Sequence, residues 1–425
     1  MPTEEFRFAH IADAHVGAWP RDPAIRRALR EAVLKALAVV DERDCEFLLV
    51  SGDLFHVPVP DPAEAAPVAA ALRTLIEHGR RVYVIYGSHD YIAHRTSWLD
   101  VLAETGIFLR AAPEAVRAEG DRWSLPFVVD ERTGARIAGI SGRSHGLDRS
   151  YFLAVDSEAF RAEPGYKVFQ FHAAVQEYLP EHLREHVRGI SKEDLPGGCD
   201  YYAGGHIHYT YQGNGPDGAG LLVNPGAVFG TSVTDVENGV LGRTKQGVVI
   251  ATVRGGRTTI EYVETATKDV KVFDVDLNGR TAEAAREVLS TEVDRRRAAG
   301  RLLFPRVHGT LADGGAGTLG LHRPSEGAEG EAGAVHWDVT DLSTVPADAG
   351  DLPGTSEEIE GTMIRALAQG APPSLGTPEA AEALLRALVR ELGSPPTEGE
   401  AKTDYEAQRL AAARRLLGVR APDPE

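Results

Sequence analysis

The sequence predicts a mixed α/β fold built on a largely buried sheet, and three observations predict it. Over the first 265 residues, short apolar runs of strand length alternate with stretches of helical periodicity. Several of those runs, FLLVS at Phe47–Ser51 and VYVIY at 82–86 among them, are apolar throughout, as strands covered on both faces are. Histidine and aspartate then recur just past the runs, where open α/β sheets place their ligand crevices.

The elements follow in order. Residues 6–11 form the first expected strand. Asp22-Pro23 opens a helix, with Asp as N-cap and Pro in the first turn, and Ile25, Leu29, Val33, Leu37 and Val40 recur at helical spacing. After the strand at Phe47–Ser51, a second helix fits 62–78, with Val68, Leu72, Leu75 and Ile76 on one face and Gly79 as its stop. The strand at 82–86 follows. Later strands are expected at 136–140, 167–171, 221–223, 247–253 and 258–263.

These elements make a first domain at 1–265. A second, at 266–345, opens on the strand-like VKVFDVDLNG and continues with a helix at 282–297 and a strand at 302–309. Residues 312–334 are Gly-rich and acidic, and read as a mobile loop or linker because they lack the apolar content to order themselves. Residues 346–425 form a linker and helical tail. Thr377-Pro378 opens one tail helix carrying Leu384, Leu385, Leu388, Val389 and Leu392. Thr403 and Glu406 are spaced as a capping box for another, with Leu410 and Leu417 on one face.

Composition bounds the function. With 425 residues, 43% hydrophobic and 25% charged, the chain is long enough for two or three packed domains. The formal net charge is −18, the wrong sign for a protein held on nucleic acid by a diffuse basic surface. Residues 326–425 alone carry 19 acidic against 8 basic side chains. Any polyanion must therefore be met by local Arg or Lys, or by bound cations. Two cysteines, Cys45 and Cys199, make no disulfide framework and suit a reducing compartment. The N-terminal MPTEEFRFAHIADAH has no basic, apolar leader pattern, and no run approaches membrane-spanning length, so a cytoplasmic protein is expected.

The chemistry lies in the strand-end residues: Asp13 and His15, Asp53, Gly87-Ser88-His89-Asp90, His172, and His206 with His208. Carboxylate and imidazole together suit borderline divalent cations such as Mn²⁺, Fe²⁺ or Zn²⁺. Residues i and i+2 on an extended segment point the same way, so Asp13/His15 and His206/His208 are expected to reach one centre. A single strand-end Asp53 has two oxygens with which to bridge two cations. Two such cations lower the pKa of a trapped water and clamp the attacking and leaving oxygens of a phosphoryl group. Each pair alone has an ordinary structural reading. Five in this order, each at a strand end, point to one metal site. His10, His56 and His145 read as structural or supporting groups. Arg143 and Arg149 are candidate phosphate contacts or solvated groups, and Arg295-Arg296-Arg297 is a candidate nucleic-acid contact that reads equally as a solvated helix face.

The series D13-x-H15, G52-D53, G87-S88-H89-D90, H172 and G205-H206-I207-H208 resembles the calcineurin-like metallophosphoesterase superfamily. Within it, FAHIADAHVG, LLVSGDLFH, FQFHAAV, YYAGGHIHY and VNPGA are similar to SbcD-type DNA double-strand-break repair nucleases, which work with an SbcC-type ATPase. The resemblance spans about residues 6–228. It implies a four-layer αββα sandwich, with 266–345 as a small α+β capping domain and the tail helices as an ATPase-docking segment. It implies two metals, usually Mn²⁺. Asp13, His15 and His208 hold the first, Asp53 bridges, and His172, His206 and position 88 complete the second. His89 stays off the metals, stabilising the pentacovalent phosphorus or protonating the leaving oxygen, and Asp90 orients it. The implied activity is two-metal cleavage of a DNA phosphodiester by a water activated between the cations, in a homodimer bound to its ATPase.

One residue departs from the pattern. The family usually has Asn where this chain has Ser88, and a hydroxyl is a shorter and poorer neutral donor. Either the second metal is held loosely or through water, or this branch uses Ser natively. The rival readings are a small-molecule or cyclic-nucleotide phosphodiesterase on the same site, and a scaffold subunit weakened at Ser88.

Overall fold

A computed structural model describes residues 5–91, 95–112, 116–117, 123–142, 148–185, 187–267, 269–298, 300–314, 316–321, 334–339, 341–344, 356–369, 377–393 and 402–417. The chain divides into two compact units, Met1–Thr344 and Val345–Glu425.

The strands of the first unit are β1 (Glu5–Ile11), β2 (Phe47–Ser51), β3 (Arg81–Ile85), β4 (Leu109–Arg110), β5 (Val116–Arg117), β6 (Trp123–Ser124), β7 (Val128–Val129), β8 (Arg136–Ile140), β9 (Lys167–Phe171), β10 (Tyr201–Ala203), β11 (Tyr211–Asn214), β12 (Leu221–Asn224), β13 (Gly247–Arg254), β14 (Arg257–Glu264), β15 (Val270–Asp276), β16 (Leu302–Leu311), β17 (Ala334–Val335) and β18 (Leu342–Thr344). One six-stranded sheet runs β14-β13-β1-β2-β3-β4, with β1 to β4 parallel and β13 and β14 antiparallel at one edge. A second runs β11-β12-β10-β9-β8-β7, parallel in its four central strands.

Alternation along each strand decides the layers. In β1, Phe6 and Phe8 point between the sheets, and Ala9 and Ile11 point outward. The inner core joins Phe8, Phe47, Tyr83 and Val249 of the first sheet to Ile137, Val168, Tyr201 and Val223 of the second. Phe8 stacks on Phe47 and meets Tyr201 edge-on, both at 4.9 Å between ring centroids. Helices Pro23–Glu42, Pro62–Glu77 and Trp98–Glu104 cover the outer face of the first sheet through Leu29, Val33, Leu72 and Leu99. The short helices Asp148–Leu153 and Ser157–Ala162 bring Phe152 and Phe160 onto the outer face of the second. The result is the expected αββα sandwich.

The Asp22-Pro23 start places the first helix where the sequence does, with Pro at its first turn. Asp61 caps the second by accepting from the Ala63 amide at 2.9 Å. A third sheet, β15-β16-β17 with β18 also on β16, is all parallel. Helix Ala282–Asp294 packs on it through Ala285 and Leu289. It joins the first core at Trp19, whose Nε1 donates to the Gly230 carbonyl at 3.0 Å and whose ring lies 4.9 Å from His336 and 5.8 Å from Phe304.

Some expectations change. Within the Gly-rich stretch, Ala316–Leu319 is helical and buries Leu319, with Leu321 beside it in the β15–β16 core, because those two leucines supply the apolar anchor that the surrounding composition lacks. Residues 322–333 lie outside the described residues. The paired strands β4 to β7 and β11 are too short, or too polar, to be read from pattern.

In the second unit, helices Ser356–Gln369, Pro378–Gly393 and Lys402–Leu417 pack in series. The last begins one residue before Thr403, which is therefore inside the helix rather than capping it. Ile364, Ala368, Ala381 and Ala412 are buried, while Met363, Leu367, Leu392 and Leu410 are exposed. No described helix is long and apolar enough to cross a membrane.

Candidate metal centre

The carboxyl ends of β1, β2, β3, β9 and β10 carry the predicted residues, and their loops are tied together. The Asp13 amide donates to the Gly52 carbonyl at 3.1 Å and the His15 amide to the Asp53 carbonyl at 2.9 Å. The Asp13 carboxylate accepts from the His206 amide at 2.9 and 3.1 Å, joining the two sheets across the site.

Convergence does not come from extended alternation as the i, i+2 argument supposes. Asp13 (φ 50°), His15 (φ 45°), Asp53 (φ 52°) and His206 (φ 90°) all lie in the left-handed region. Such a backbone costs a non-glycine residue about 1–2 kcal/mol. It persists here at four site residues because the surrounding hydrogen bonds fix it.

Glycine supplies the closeness. A Cβ on Gly87 would stand 2.0 Å from the Asp53 Oδ1, and one on Gly52, itself at φ +87°, would stand 2.3 Å from the His172 Nδ1. This is why Gly precedes both Asp53 and Ser88.

The side chains meet as follows. Asp53 Oδ2 lies 3.2 Å from His172 Nε2 and 3.6 Å from His15 Nε2, so one oxygen reaches both imidazoles. Its Oδ1 accepts from the His89 amide at 2.8 Å. His15 Nε2 and His208 Nε2 face each other at 3.2 Å, and Asp13 Oδ1 stands 4.0 Å from His15 Nε2. Candidate ligand atoms of Asp13, His15 and His208 lie within 4.8 Å of one another, as do those of Asp13, Asp53 and His172. The His206 ring lies 5.1 Å from the His172 ring and is exposed. Ser88 Oγ donates to Asp53 Oδ2 at 3.4 Å.

The donor set fits divalent cations. His172 gives its Nδ1 proton to the Ser51 carbonyl at 2.8 Å, which aims Nε2 at Asp53. Among the described residues that Nε2 makes no hydrogen bond, and it is buried beside Asp13 and Asp53. A buried imidazole nitrogen beside two carboxylates is costly unless a proton or a metal cation meets it.

The electrostatics agree. Burial pushes the Asp13 carboxyl up to about 6. Burial also pulls the His172 ring down, but the adjacent Asp53 carboxylate outweighs it and takes the ring up to about 10. Burial raises Asp53, yet its imidazole neighbours dominate and hold it well below the carboxylate range.

Asp90 is buried, and its carboxylate accepts from the Leu54, Phe55 and Gly87 amides at 3.2, 3.1 and 3.0 Å. Burial, with Asp53 nearby, pushes it up to about 7. Its link to His89 therefore runs through loop backbone. The partner of the His89 ring is the His56 carbonyl, 2.8 Å from Nδ1. His89 is exposed, and its ring stacks on that of His56 at 5.0 Å.

Other predicted groups separate. His10 sits between the sheets, 3.0 Å from the Tyr201 hydroxyl and 2.9 Å from Ser51 Oγ, and burial pulls it down to about 3, keeping it neutral. Arg149 pairs with Asp194 at 2.9 Å. Arg295 and Arg296 pair with Glu292, and Arg297 with Asp294. Arg143 and His145 lie outside the described residues.

Two supporting residues are given no role by the sequence, although one, Asn224, lies within the VNPGA stretch. Asp235 Oδ2 accepts from His208 Nδ1 at 2.9 Å and from the Thr231 and Ser232 amides at 3.0 and 3.1 Å. It is the third residue of helix Val233–Val240 and half of a capping box with Ser232. The S-x-x-D spacing is the signal that could have found it. Asn224 donates to the carbonyls of Ile207 and Tyr209 at 2.6 and 2.7 Å and so holds the His206–His208 turn.

Known proteins are similar to this chain in sequence. Residues 6–210 match the calcineurin-like phosphoesterase family. The chain is 25% identical over 299 residues to the DNA double-strand break repair protein Mre11 of Archaeoglobus fulgidus, covering 65% of this chain and 62% of that one. It is 24% identical over 238 residues to the protein of that name from Methanococcus maripaludis (55% and 59% covered), and 24% over 282 residues to that from Methanopyrus kandleri (63% and 59%). The chain thus spans about six tenths of the length of these relatives.

Proposed function

This chain carries a calcineurin-like phosphoesterase domain over residues 6–210, and from that premise we propose that it is a divalent-metal-dependent phosphodiesterase whose substrate is DNA. The observation that carries the reading is the placement of one Asp53 oxygen 3.2 Å from His172 and 3.6 Å from His15, on loops from different strands of two sheets.

Asp13, His15 and His208 would hold one cation and His172, His206 and Ser88 a second, with Asp53 shared between them. Two such ions supply charge neutralisation at the phosphoryl group and a lowered pKa for the attacking water. Mn²⁺ is the proposed metal. Asp235 fixes the His208 tautomer and the Ser51 carbonyl fixes that of His172, so each presents Nε2 to the centre. The His56 carbonyl holds His89 Nδ1, which leaves Nε2 at the exposed mouth to carry the proton for the leaving 3′ oxygen. Asp90 keeps the β2 and β3 loops in register so that His89 is presented there.

The relatives are named for DNA double-strand break repair, and we assign the same process here, in the cytoplasm. The net charge of −18 disfavours an independent grip on DNA. An SbcC-type ATPase and a second copy of the chain would supply it, the tail helices Ser356–Gln369, Pro378–Gly393 and Lys402–Leu417 docking the ATPase and residues 266–345 capping the site.

The test is His89→Ala, with Mn²⁺ counted by mass spectrometry or calorimetry and linear DNA as substrate. Two ions retained with hydrolysis lost is the expected result. Loss of metal would show that His89 is a ligand and the proton role wrong. Ser88 supports one rival, a subunit with a single tight metal. Its hydroxyl is already hydrogen-bonded to Asp53, and one ion with no DNA cleavage in the unaltered protein would establish that rival.

A further inference from the structure

A second group of ligand-bearing side chains overlaps the centre without coinciding with it. His15, His56 and His89 each offer a ring nitrogen within 4.8 Å of those of the other two. The ring centres lie 4.8 Å apart for His15 and His89, 5.0 Å for His56 and His89, and 5.5 Å for His15 and His56. The His56 ring is not among the ligands proposed for either cation above.

Backbone hydrogen bonds hold this triad. The loops after β1 and β2 run side by side: the His15 amide donates to the Asp53 carbonyl at 2.9 Å, the Val16 amide to the Leu54 carbonyl at 3.0 Å, and the His56 amide back to the Val16 carbonyl at 3.0 Å. That pairing sets His15 beside His56. The third ring is tied to the second, since the His56 carbonyl accepts from His89 Nδ1 at 2.8 Å, which leaves a lone pair on His89 Nε2. His56 Nδ1 is buried and, among the described residues, makes no hydrogen bond. A buried imidazole nitrogen left so is costly until a proton or a cation meets it. His56 as a whole is half-buried and His89 exposed, so an ion reaches the triad without opening the fold.

The donor set differs in kind from the one beside it. The centre mixes carboxylate with imidazole, which suits Mn²⁺. Three imidazoles alone suit Zn²⁺, which takes three protein nitrogens and a water in a tetrahedron. The Asp53 carboxylate, whose Oδ1 accepts from the His89 amide at 2.8 Å, supplies negative charge close by without being one of the three.

We propose that His15, His56 and His89 form an alternative, all-imidazole site for Zn²⁺, and that a zinc ion there stops hydrolysis. His15 belongs both to this site and to the ligands of the first cation, so the two ions compete for it. The zinc ion also takes the His89 nitrogen that carries the proton for the leaving oxygen. The inhibition rests on the phosphodiesterase reading, whereas zinc binding by the triad does not.

Two measurements separate the site from that reading. In the first, Zn²⁺ is titrated into the Mn²⁺-loaded protein during hydrolysis of bis(p-nitrophenyl) phosphate, each variant being compared with its own zinc-free rate. His56→Gln should raise the half-inhibitory Zn²⁺ concentration by about 100-fold, one of three ligands having gone. In the second, zinc is counted by mass spectrometry in a chain carrying Asp13→Asn and Asp53→Asn, which removes both carboxylates from the centre and leaves the triad whole. One zinc ion is expected there, and none once His56→Gln is added. Hydrolysis that zinc does not inhibit, inhibition that His56→Gln leaves unchanged, or zinc retained in the triple variant overturns the proposal. If the amide variant does not fold, the inhibition series decides alone. His56-dependent zinc in a protein that hydrolyses no phosphodiester upholds the site and sinks the phosphodiesterase.

Discussion

Replacing Asp235 by asparagine removes a charge and almost nothing else. The Asp235 carboxylate holds His208 Nδ1 at 2.9 Å and the Thr231 and Ser232 amides at 3.0 and 3.1 Å, so an amide oxygen in its place still accepts and still caps helix Val233–Val240. What is lost is the ionic character of the bond to the imidazole. A hydrogen bond to a charged group contributes about 1.5–3 kcal/mol and a neutral one about 0.5–1.5. The difference, about 1–1.5 kcal/mol, corresponds to roughly a tenfold weaker metal at the site His208 serves. Burial pulls the His208 ring down, but the bond to Asp235 outweighs it and raises the ring, so protons compete with metal in the unaltered protein at low pH. The titration therefore belongs at pH 8. Calorimetric titration of chelator-treated protein with Mn²⁺ should show one of two Kd values rise about tenfold with the other unmoved. The melting temperature in chelator should change by no more than a degree or two, since the cap survives. Equal Mn²⁺ affinities in the two proteins would refute the reasoning, because a ligand whose supporting carboxylate has gone cannot bind as before.

Two further outcomes follow from the same site. Metal loading should tighten as pH rises. The Asp53 carboxylate lifts His172 to about 10, so in the metal-free protein that ring is protonated across the neutral range and must release a proton to bind. Release of one proton per ion gives about a tenfold gain in affinity per pH unit between 6 and 8, and a flat Mn²⁺ Kd over that range would show the ring is not a ligand. Ser88→Asn should tighten the weaker Mn²⁺ by about tenfold or more, by replacing a short hydroxyl hydrogen-bonded to Asp53 with a longer amide oxygen. An unchanged titration would mean that position 88 does not reach the metal.

The sequence by itself determined the mixed α/β class with its buried sheet and the roster of candidate ligands, because both are written locally; the sandwich followed from the family resemblance. An apolar run as short as β2 or β3, bounded by turn residues, reads as a buried strand, and a His or Asp directly after it then sits at the sheet's end. Tertiary structure decided how those groups converge and what supports them. The left-handed turns at Asp13, His15, Asp53 and His206 replace the extended pairing that i, i+2 spacing suggests, and nothing in a dipeptide forecasts them. Asp235 reaches His208 from a helix 27 residues further on, and the Ser51 carbonyl reaches His172 across 121 residues. The His89 ring answers to the backbone of His56, not to the Asp90 beside it in sequence. Which nitrogen of His172 faces the centre is set by a partner, the Ser51 carbonyl, whose place depends on how two sheets stack, and stacking is a property of the whole inner core of Phe8, Phe47, Tyr83 and Tyr201 rather than of any motif.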